Sequence, residues 1–205
     1  MRGLLVALEG IDGAGNTTQA ELLAKWLKRR GMEVLLTKEP TKGAVGRLIR
    51  ARLKRGIKDP LVDALLFAAD RAEHVAKVIA PGMRQGLIVV TDRYVESSVA
   101  YQGAEGADPS WVEAVNSFAP RPDLTIILDV PPSQALARKP GPREGFEDEA
   151  FLLKVRELFR LRAEEKGYVL VDASKGIDEV HQEVKRAFEG LLKKLGWQGP
   201  RGTRA

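Results

Sequence analysis

One residue after an apolar run at residues 4–8, the chain reads Gly10-Ile11-Asp12-Gly13-Ala14-Gly15-Asn16-Thr17-Thr18. Glycines in such a turn let backbone N–H groups point inward around phosphate oxygens. A helix that begins near Asn16 directs the positive end of its dipole at the same anion. The stretch predicts a phosphate-binding loop between a first strand and a first helix, although an ordinary glycine-rich turn would fit the same residues.

Position 16 departs from the phosphate-loop pattern G-x-x-x-x-G-K-[ST], which has lysine where this chain has Asn16. Asn donates a hydrogen bond but carries no charge, and losing one preorganised electrostatic donor typically lowers kcat by roughly 10²–10³. We therefore expect turnover to suffer more than nucleotide binding. Three explanations stay open: an engineered change, a natural change compensated by another cation such as Lys42, or a loss of activity.

Apolar runs alternate with helical stripes along the rest of the chain. Further strands are predicted at residues 34–36, 87–90, 124–128 and 168–171. Continuous apolar strands separated by helices indicate a parallel sheet that is covered on both faces. Ligands of such sheets bind beyond the carboxyl ends of the strands, so the informative residues are expected there.

The length of 205 residues suits one compact α/β domain, which we place at residues 1–195. Prolines and glycines punctuate a basic segment near residues 138–147, which we interpret as a short lid. Residues 196–205 are rich in Gly and Arg and are expected to form a flexible tail.

Composition excludes several classes of protein. The chain has no cysteine and two histidines, which argues against disulfides and zinc sites. No apolar stretch is long enough to span a membrane, so a cytoplasmic location without a membrane partner is expected. The net charge of +5 suits binding of polyphosphates or of nucleic acid. We expect no nucleic-acid partner, because no helix carries a basic stripe with interleaved aromatic residues.

Several segments, in this order, resemble the thymidylate kinases over nearly the whole chain. They are LEGIDGAG at 8–15 with TTQ at 17–19, TKEP at 37–40, LLFAADR at 65–71, DRY at 92–94, SS at 97–98, AYQG at 100–103 and DAS at 172–174. A phosphate loop alone marks many unrelated proteins, whereas this combination is specific. The resemblance implies a three-layer P-loop kinase fold with a five-stranded parallel sheet and helices on both faces. It also implies transfer of a phosphoryl group from ATP to dTMP, giving ADP and dTDP, by a homodimer.

The resemblance further implies the roles of residues around the phosphates. The loop residues 10–18 would bind ATP, with Thr17 as a ligand of Mg²⁺ and Asp92 assisting through water. Asp12 would hold the 3′-hydroxyl of the acceptor sugar. Arg93 would bridge the acceptor phosphate and the transferring phosphoryl group, where its planar fork suits two phosphates. A local surface ion pair is the simpler explanation of the Asp92–Arg93 pair.

The acceptor nucleoside would be bound by a second group of residues. Phe67 would stack on the thymine ring, and Arg71, one helical turn further on, would donate to a base carbonyl. Gln102 carries both a donor and an acceptor and would pair with the base edge. Tyr101 would lie near the sugar and crowd a 2′-hydroxyl. The expected substrate-binding residues also include Glu39 and Ser98, and core packing is the simpler explanation of Phe67.

In some thymidylate kinases the loop residue after the aspartate is arginine, whereas this chain has Gly13. The resemblance is therefore to the subclass that supplies basic residues from a lid. Arg138 would lie along the adenine, and Lys139 or Arg143 would reach the phosphates; the alternative is a solvated basic loop. Two rival functions remain open, namely a kinase for another nucleoside monophosphate and a catalytically weak or inactive nucleotide-binding paralogue.

Overall fold

The computed structural model describes residues 3–138 and 148–196. Its five strands are all parallel and lie in the order β2-β3-β1-β4-β5. The strands are β1 (Leu4–Gly10), β2 (Val34–Lys38), β3 (Ile88–Asp92), β4 (Leu124–Asp129) and β5 (Val169–Asp172). The predicted sheet is therefore confirmed. The strands β1 and β3 each extend two residues beyond their predicted carboxyl ends, into the polar residues that the apolar pattern does not mark.

Helices follow the strands as the alternation predicts. They are α1 (Asn16–Arg29), α2 (Ala44–Lys54), α3 (Pro60–His74), α4 (Ala80–Arg84), α5 (Val95–Ala104), α6 (Pro109–Val115), α7 (Pro132–Ala137), α8 (Glu149–Lys166) and α9 (Ile177–Lys194). A π-helical turn, Val75–Ile79, joins α3 to α4. None of the helices within the described ranges combines the length and the hydropathy needed to cross a bilayer.

The helices form the outer layers of a three-layer α/β fold. The helices α1 and α9 pack against each other and against the sheet, while α5 and α8 form a second packed pair. Alternate residues of β1 enter different clusters of the core: Val6 and Leu8 belong to one, Leu5 and Ala7 to another. This alternation is the period-two pattern of a strand with two buried faces.

The helix α3 does not bury its larger apolar side chains against the core. It begins where the Asp59 carboxylate accepts hydrogen bonds from the N–H groups of Leu61 and Val62, which otherwise lack partners in a first turn. Its buried face carries small residues such as Ala64 and Ala68, whereas Leu61 and Leu65 are about half exposed. The apolar stripe on this helix therefore lies largely at the surface.

Candidate active site

The phosphate loop connects β1 to α1 at the carboxyl edge of the sheet. Gly13 has a φ of 82°, and a Cβ atom there would lie 2.3 Å from the carbonyl oxygen of Ala135. Gly10 has a φ of 147°, with Leu128 O 2.7 Å from its hypothetical Cβ. Both positions thus require glycine for conformation and for space. The loop has the closely packed backbone expected of a phosphate cradle.

Asn16 opens α1 and is almost completely buried. Its side-chain amide donates to the carbonyl oxygen of Gly10 at 3.1 Å, so the side chain folds back onto the loop. Its Oδ1 atom is buried without a hydrogen-bond partner among the described residues. Asn16 therefore braces the loop and places no charge in the adjoining cavity.

Arg93 follows β3 in a left-handed backbone conformation, with a φ of 71°. Non-glycine residues rarely adopt such values, and those that do cluster at functional sites. The guanidinium donates to Asp12 Oδ1 at 2.5 Å, to Gly10 O at 2.8 Å and to Ser97 Oγ at 3.0 Å. The N–H of Asp12 in turn donates to the hydroxyl of Tyr101 at 2.8 Å. Arg93 and Asp12, both predicted from the sequence, thus lie together beside the phosphate loop.

A buried carboxylic acid lies behind Arg93. Glu9 is inaccessible to solvent, and Ser97 Oγ donates to its Oε2 atom at 2.5 Å. Burial raises the pKa of Glu9 to about 7, although the Ser97 hydrogen bond and the charge of Arg93 oppose the shift. Ser97 therefore connects the acid to Arg93 and helps to hold the guanidinium in place.

Thr17 and Asp92 meet at the edge of the sheet, where the Thr17 hydroxyl donates to the Asp92 carboxylate. Hydroxyl and carboxylate oxygens are the ligands that Mg²⁺ prefers, and this ion commonly takes one or two protein ligands together with substrate phosphates. The described residues contain no cluster of three acidic, His or Cys side chains able to form a complete metal cage. The pair therefore fits a metal ion that is shared with a polyphosphate.

A cavity of about 680 Å³ runs from the phosphate loop towards the segment after β5. Arg138 lines it and donates to Ala173 O at 2.8 Å. The cavity also includes Lys175, from the segment after β5, and Ile177, the first residue of α9. Arg138 thus borders the same cavity as the phosphate loop, and its contact with adenine stays a prediction. Lys139 and Arg143 fall outside the residues that the structure describes.

A second cavity, of about 260 Å³, lies on the other side of Arg93. It is lined by Asp12, Lys38, Glu39, Pro40, Arg50, Leu53, Phe67, Arg93, Ser97, Ser98, Tyr101 and Gln102. Gln102 is 1% exposed, and its Oε1 atom has no hydrogen-bond partner in the described part of the chain. A buried, unsatisfied amide on a cavity wall is suited to a polar ligand edge.

Arg71 lies apart from the residues that line the second cavity. Its guanidinium is buried and donates to Glu39 at 2.9 Å, to Asn116 at 2.5 Å and to the carbonyl oxygen of Tyr94 at 3.0 Å. Arg71 is absent from the cavity wall but also donates to Ser98, which lies on it. Contact between Arg71 and a base stays a prediction, and in this conformation the residue organises the wall.

Sequence reasoning missed two basic residues of the site. Arg50 of α2 lines the second cavity and donates to the carbonyl oxygens of Pro40 and Thr41, at 2.8 Å and 2.5 Å. Its signal in the sequence is a basic residue in the helix that follows Glu39-Pro40. Lys38, the last residue of β2, lines both cavities.

A parallel sheet with a phosphate loop after its first strand, and two cavities that meet at Arg93, defines a P-loop kinase that acts on nucleotides. The family model described as "Thymidylate kinase" matches residues 8–184. The chain is 49% identical over 191 residues to a "Probable thymidylate kinase" of Pyrobaculum aerophilum, covering 92% of this chain and 97% of the relative. It is 48% identical over 200 residues to a protein of the same description from Pyrococcus abyssi, covering 90% and 95%. The chain belongs to the thymidylate kinase family.

Proposed function

We propose that this chain transfers the γ-phosphoryl group of ATP to dTMP, giving ADP and dTDP. Membership of the family makes it a nucleoside-monophosphate kinase, and the geometry of the site supports dTMP as the acceptor. The observation that carries the proposal is the common wall of the two cavities, which brings Arg93 and Asp12 between a phosphate loop and an aromatic pocket.

The donor side of the reaction is assigned to the phosphate loop and Arg138. Backbone N–H groups of residues 10–18 hold the phosphates, and Arg138 lies against the adenine. Thr17 and, through water, Asp92 would hold Mg²⁺, and the bound metal would neutralise phosphate charge. Lys139 and Arg143 belong to the proposed lid, which we still place near residues 138–147.

The acceptor side is assigned to the smaller cavity. Phe67 presents an aromatic face to the thymine, Gln102 presents its unsatisfied amide to the base edge, and Tyr101 lies beside the sugar. Asp12 holds the 3′-hydroxyl, while Arg93 bridges the two phosphates. A positively charged, preorganised site accounts for catalysis here because phosphoryl transfer needs alignment and charge stabilisation more than covalent chemistry.

The experiment that tests the proposal is a coupled assay for ADP formation with a panel of nucleoside monophosphates. We expect turnover with dTMP, weaker turnover with dUMP and poor turnover with dGMP, because the cavity contacts suit a single thymine ring. The same panel is run on Asn16→Lys, which restores the family's cation. Equal kcat/KM for dTMP and dGMP would contradict the assignment. Binding of both substrates without turnover in the parent would favour the inactive-paralogue alternative.

We also propose that the chain forms a homodimer through the exposed stripe of α3. Leu61 and Leu65 are 54% and 52% exposed, which is unusual for two leucines one helical turn apart. Light scattering should give the mass of a dimer for the parent and of a monomer for Leu65→Glu. Leu153→Glu, at a leucine of α8 that is 44% exposed, serves as the control and should stay dimeric. A monomeric parent would rule out this interface.

A further inference from the structure

We propose that the ammonium group of Lys38 contacts the phosphoryl group in transit and supplies the positive charge that Asn16 lacks. The inference rests on the proposed dTMP kinase function. Lys38 ends β2 and is paired in register with Asp92 of β3, so its backbone is fixed at the carboxyl edge of the sheet. The pairing of β2 with β3 therefore brings Lys38 to the edge of the sheet where the reaction is proposed to occur.

The two cavities of the site have four lining residues in common: Asp12, Lys38, Glu39 and Arg93. A phosphoryl group that leaves a donor in one cavity for an acceptor in the other must pass this shared wall. Two of the four residues are cations. Arg93 is the one that the family resemblance assigns, and Lys38 is the second.

The two cations differ in how firmly they are held. The Arg93 side chain is 17% exposed and fixed by Asp12, Gly10 and Ser97. The Lys38 side chain is 58% exposed, and its ion pair with Asp92 is long, at 3.5 Å. A flexible four-carbon stem on a fixed strand end lets the ammonium group follow negative charge as it moves.

Asn16 does not occupy the place that Lys38 would reach. Its amide is turned towards Gly10 O, within the loop. The Lys38 ammonium lies beside Asp92, which accepts the hydrogen bond of Thr17, the predicted metal ligand. Lys42 is the other candidate cation. It lines a third cavity, which also includes Lys38, Thr17 and Asp92, but unlike Lys38 it is absent from the walls of the two reaction cavities.

The chemical step balances without another reactant. The bond between the γ-phosphorus and the bridging oxygen of ATP breaks, and its electron pair stays on ADP. An oxygen of the dTMP phosphate forms the new bond to phosphorus, so no proton or electron is gained or lost. Negative charge is spread over oxygens at the shared wall during the step, and a nearby ammonium group stabilises it there.

The test is a double-substitution cycle between positions 38 and 16. In the parent, Lys38→Met should lower kcat by about 10², the lower end of the loss for one transition-state donor because this side chain is mobile, with KM for ATP and dTMP changed much less. Lys38→Arg should keep most of the activity. In the Asn16→Lys background the same Lys38→Met change should cost only about tenfold, because the Asn16→Lys side chain then supplies charge to the same group. Lys25→Met, on the exposed face of α1, controls for loss of a positive charge.

Each contrary result has a separate meaning. Equal kcat for the parent and Lys38→Met overturns the inference, as does an undiminished loss in the Asn16→Lys background or a loss found in Lys42→Met instead. Turnover of dTMP that appears only after Asn16→Lys keeps the proposed function and overturns the role of Lys38. No dTMP-dependent ADP formation by any of the chains removes the proposed function itself. Thermal unfolding of each chain establishes that it is folded.

Discussion

At the scale of single side chains, Gln102 gives the strongest support for placing the phosphoryl-accepting nucleotide in the smaller cavity. Its Oε1 atom is buried on a cavity wall, without a hydrogen-bond partner in the described ranges. An unsatisfied buried acceptor costs free energy, and a ligand donor that satisfies it recovers that cost on binding. The amide therefore favours ligands that present an N–H group at this point, as a pyrimidine base edge does.

Replacing Gln102 by Leu should weaken dTMP binding and leave ATP binding unchanged. We expect the Kd for dTMP, measured by calorimetry, to rise about fivefold, because a net hydrogen bond contributes about 1 kcal/mol and 1.4 kcal/mol is a factor of ten. Gln182→Leu, on the exposed face of α9, is the matched control. An unchanged Kd for dTMP in Gln102→Leu would remove this residue from the site.

Individual residues also mark the limit of what the sequence can predict. Asp12, Arg93, Phe67 and Gln102 were predicted as site residues because they lie in recognisable segments, and the structure brings them together. The burial of Arg71 depends on Glu39 and Asn116, which are distant in the sequence, so no local pattern indicates it. The inward fold of Asn16 is likewise a tertiary contact.

At the scale of elements, the site combines residues fixed at buried strand ends with Arg138, which follows a short helix. The strands β1 and β3 are buried and adjacent, so Gly10 and Arg93 have fixed positions relative to each other. Arg138 follows the short helix α7 and is the first residue of the proposed lid. The apolar runs predicted these strands well, because a strand with two buried faces has a strong sequence signal.

The fixed position of the Arg93 guanidinium predicts that substitutions of Arg93 and Arg138 have unequal effects on kcat. Arg93→Ala should lower kcat by at least 10²–10³, because a preorganised charge is lost. Arg138→Ala should cost less, since the basic residues of a lid are partly redundant. Steady-state kinetics with both substrates saturating measure the two effects. Arg93→Lys, which keeps the charge but loses the fork, separates charge from geometry. A folded Arg93→Ala with nearly parental kcat would mean that the site is misplaced.

At the scale of the whole molecule, buried acids make stability depend on pH. Burial raises the pKa of Glu9 and of Glu105 to about 7, and the nearby Asp63 carboxylate adds to the shift of Glu105. Neither oxygen of Glu105 has a hydrogen-bond partner among residues 3–138 and 148–196. Because both pKa values lie above the ordinary value of 4.5, the stability that these acids contribute is complete below that pH. It is lost as the pH rises towards 7.

The substitution Glu105→Gln isolates one of these acids. It should raise the melting temperature relative to the parent near pH 8, where the parent holds a poorly solvated charge, and change it little near pH 5. Thermal unfolding of both chains at the two pH values measures the difference. Glu164→Gln, at an exposed position of α8, controls for the loss of an acidic residue. An equal shift at both pH values would contradict the raised pKa.

The tight fit of Gly13 against Ala135 restricts which residues the phosphate loop can accept at position 13. A kinase of the related subclass carries arginine at the corresponding loop position, yet any side chain at position 13 would meet a carbonyl oxygen 2.3 Å away. A single mutation therefore cannot carry this chain from one subclass to the other, because α7 would have to retreat at Ala135 first. More than one substitution is needed to pass from a kinase with a basic lid to a kinase with arginine in the loop. Selection for faster turnover would act on the lid, on strand ends and on position 16 before it could act on position 13.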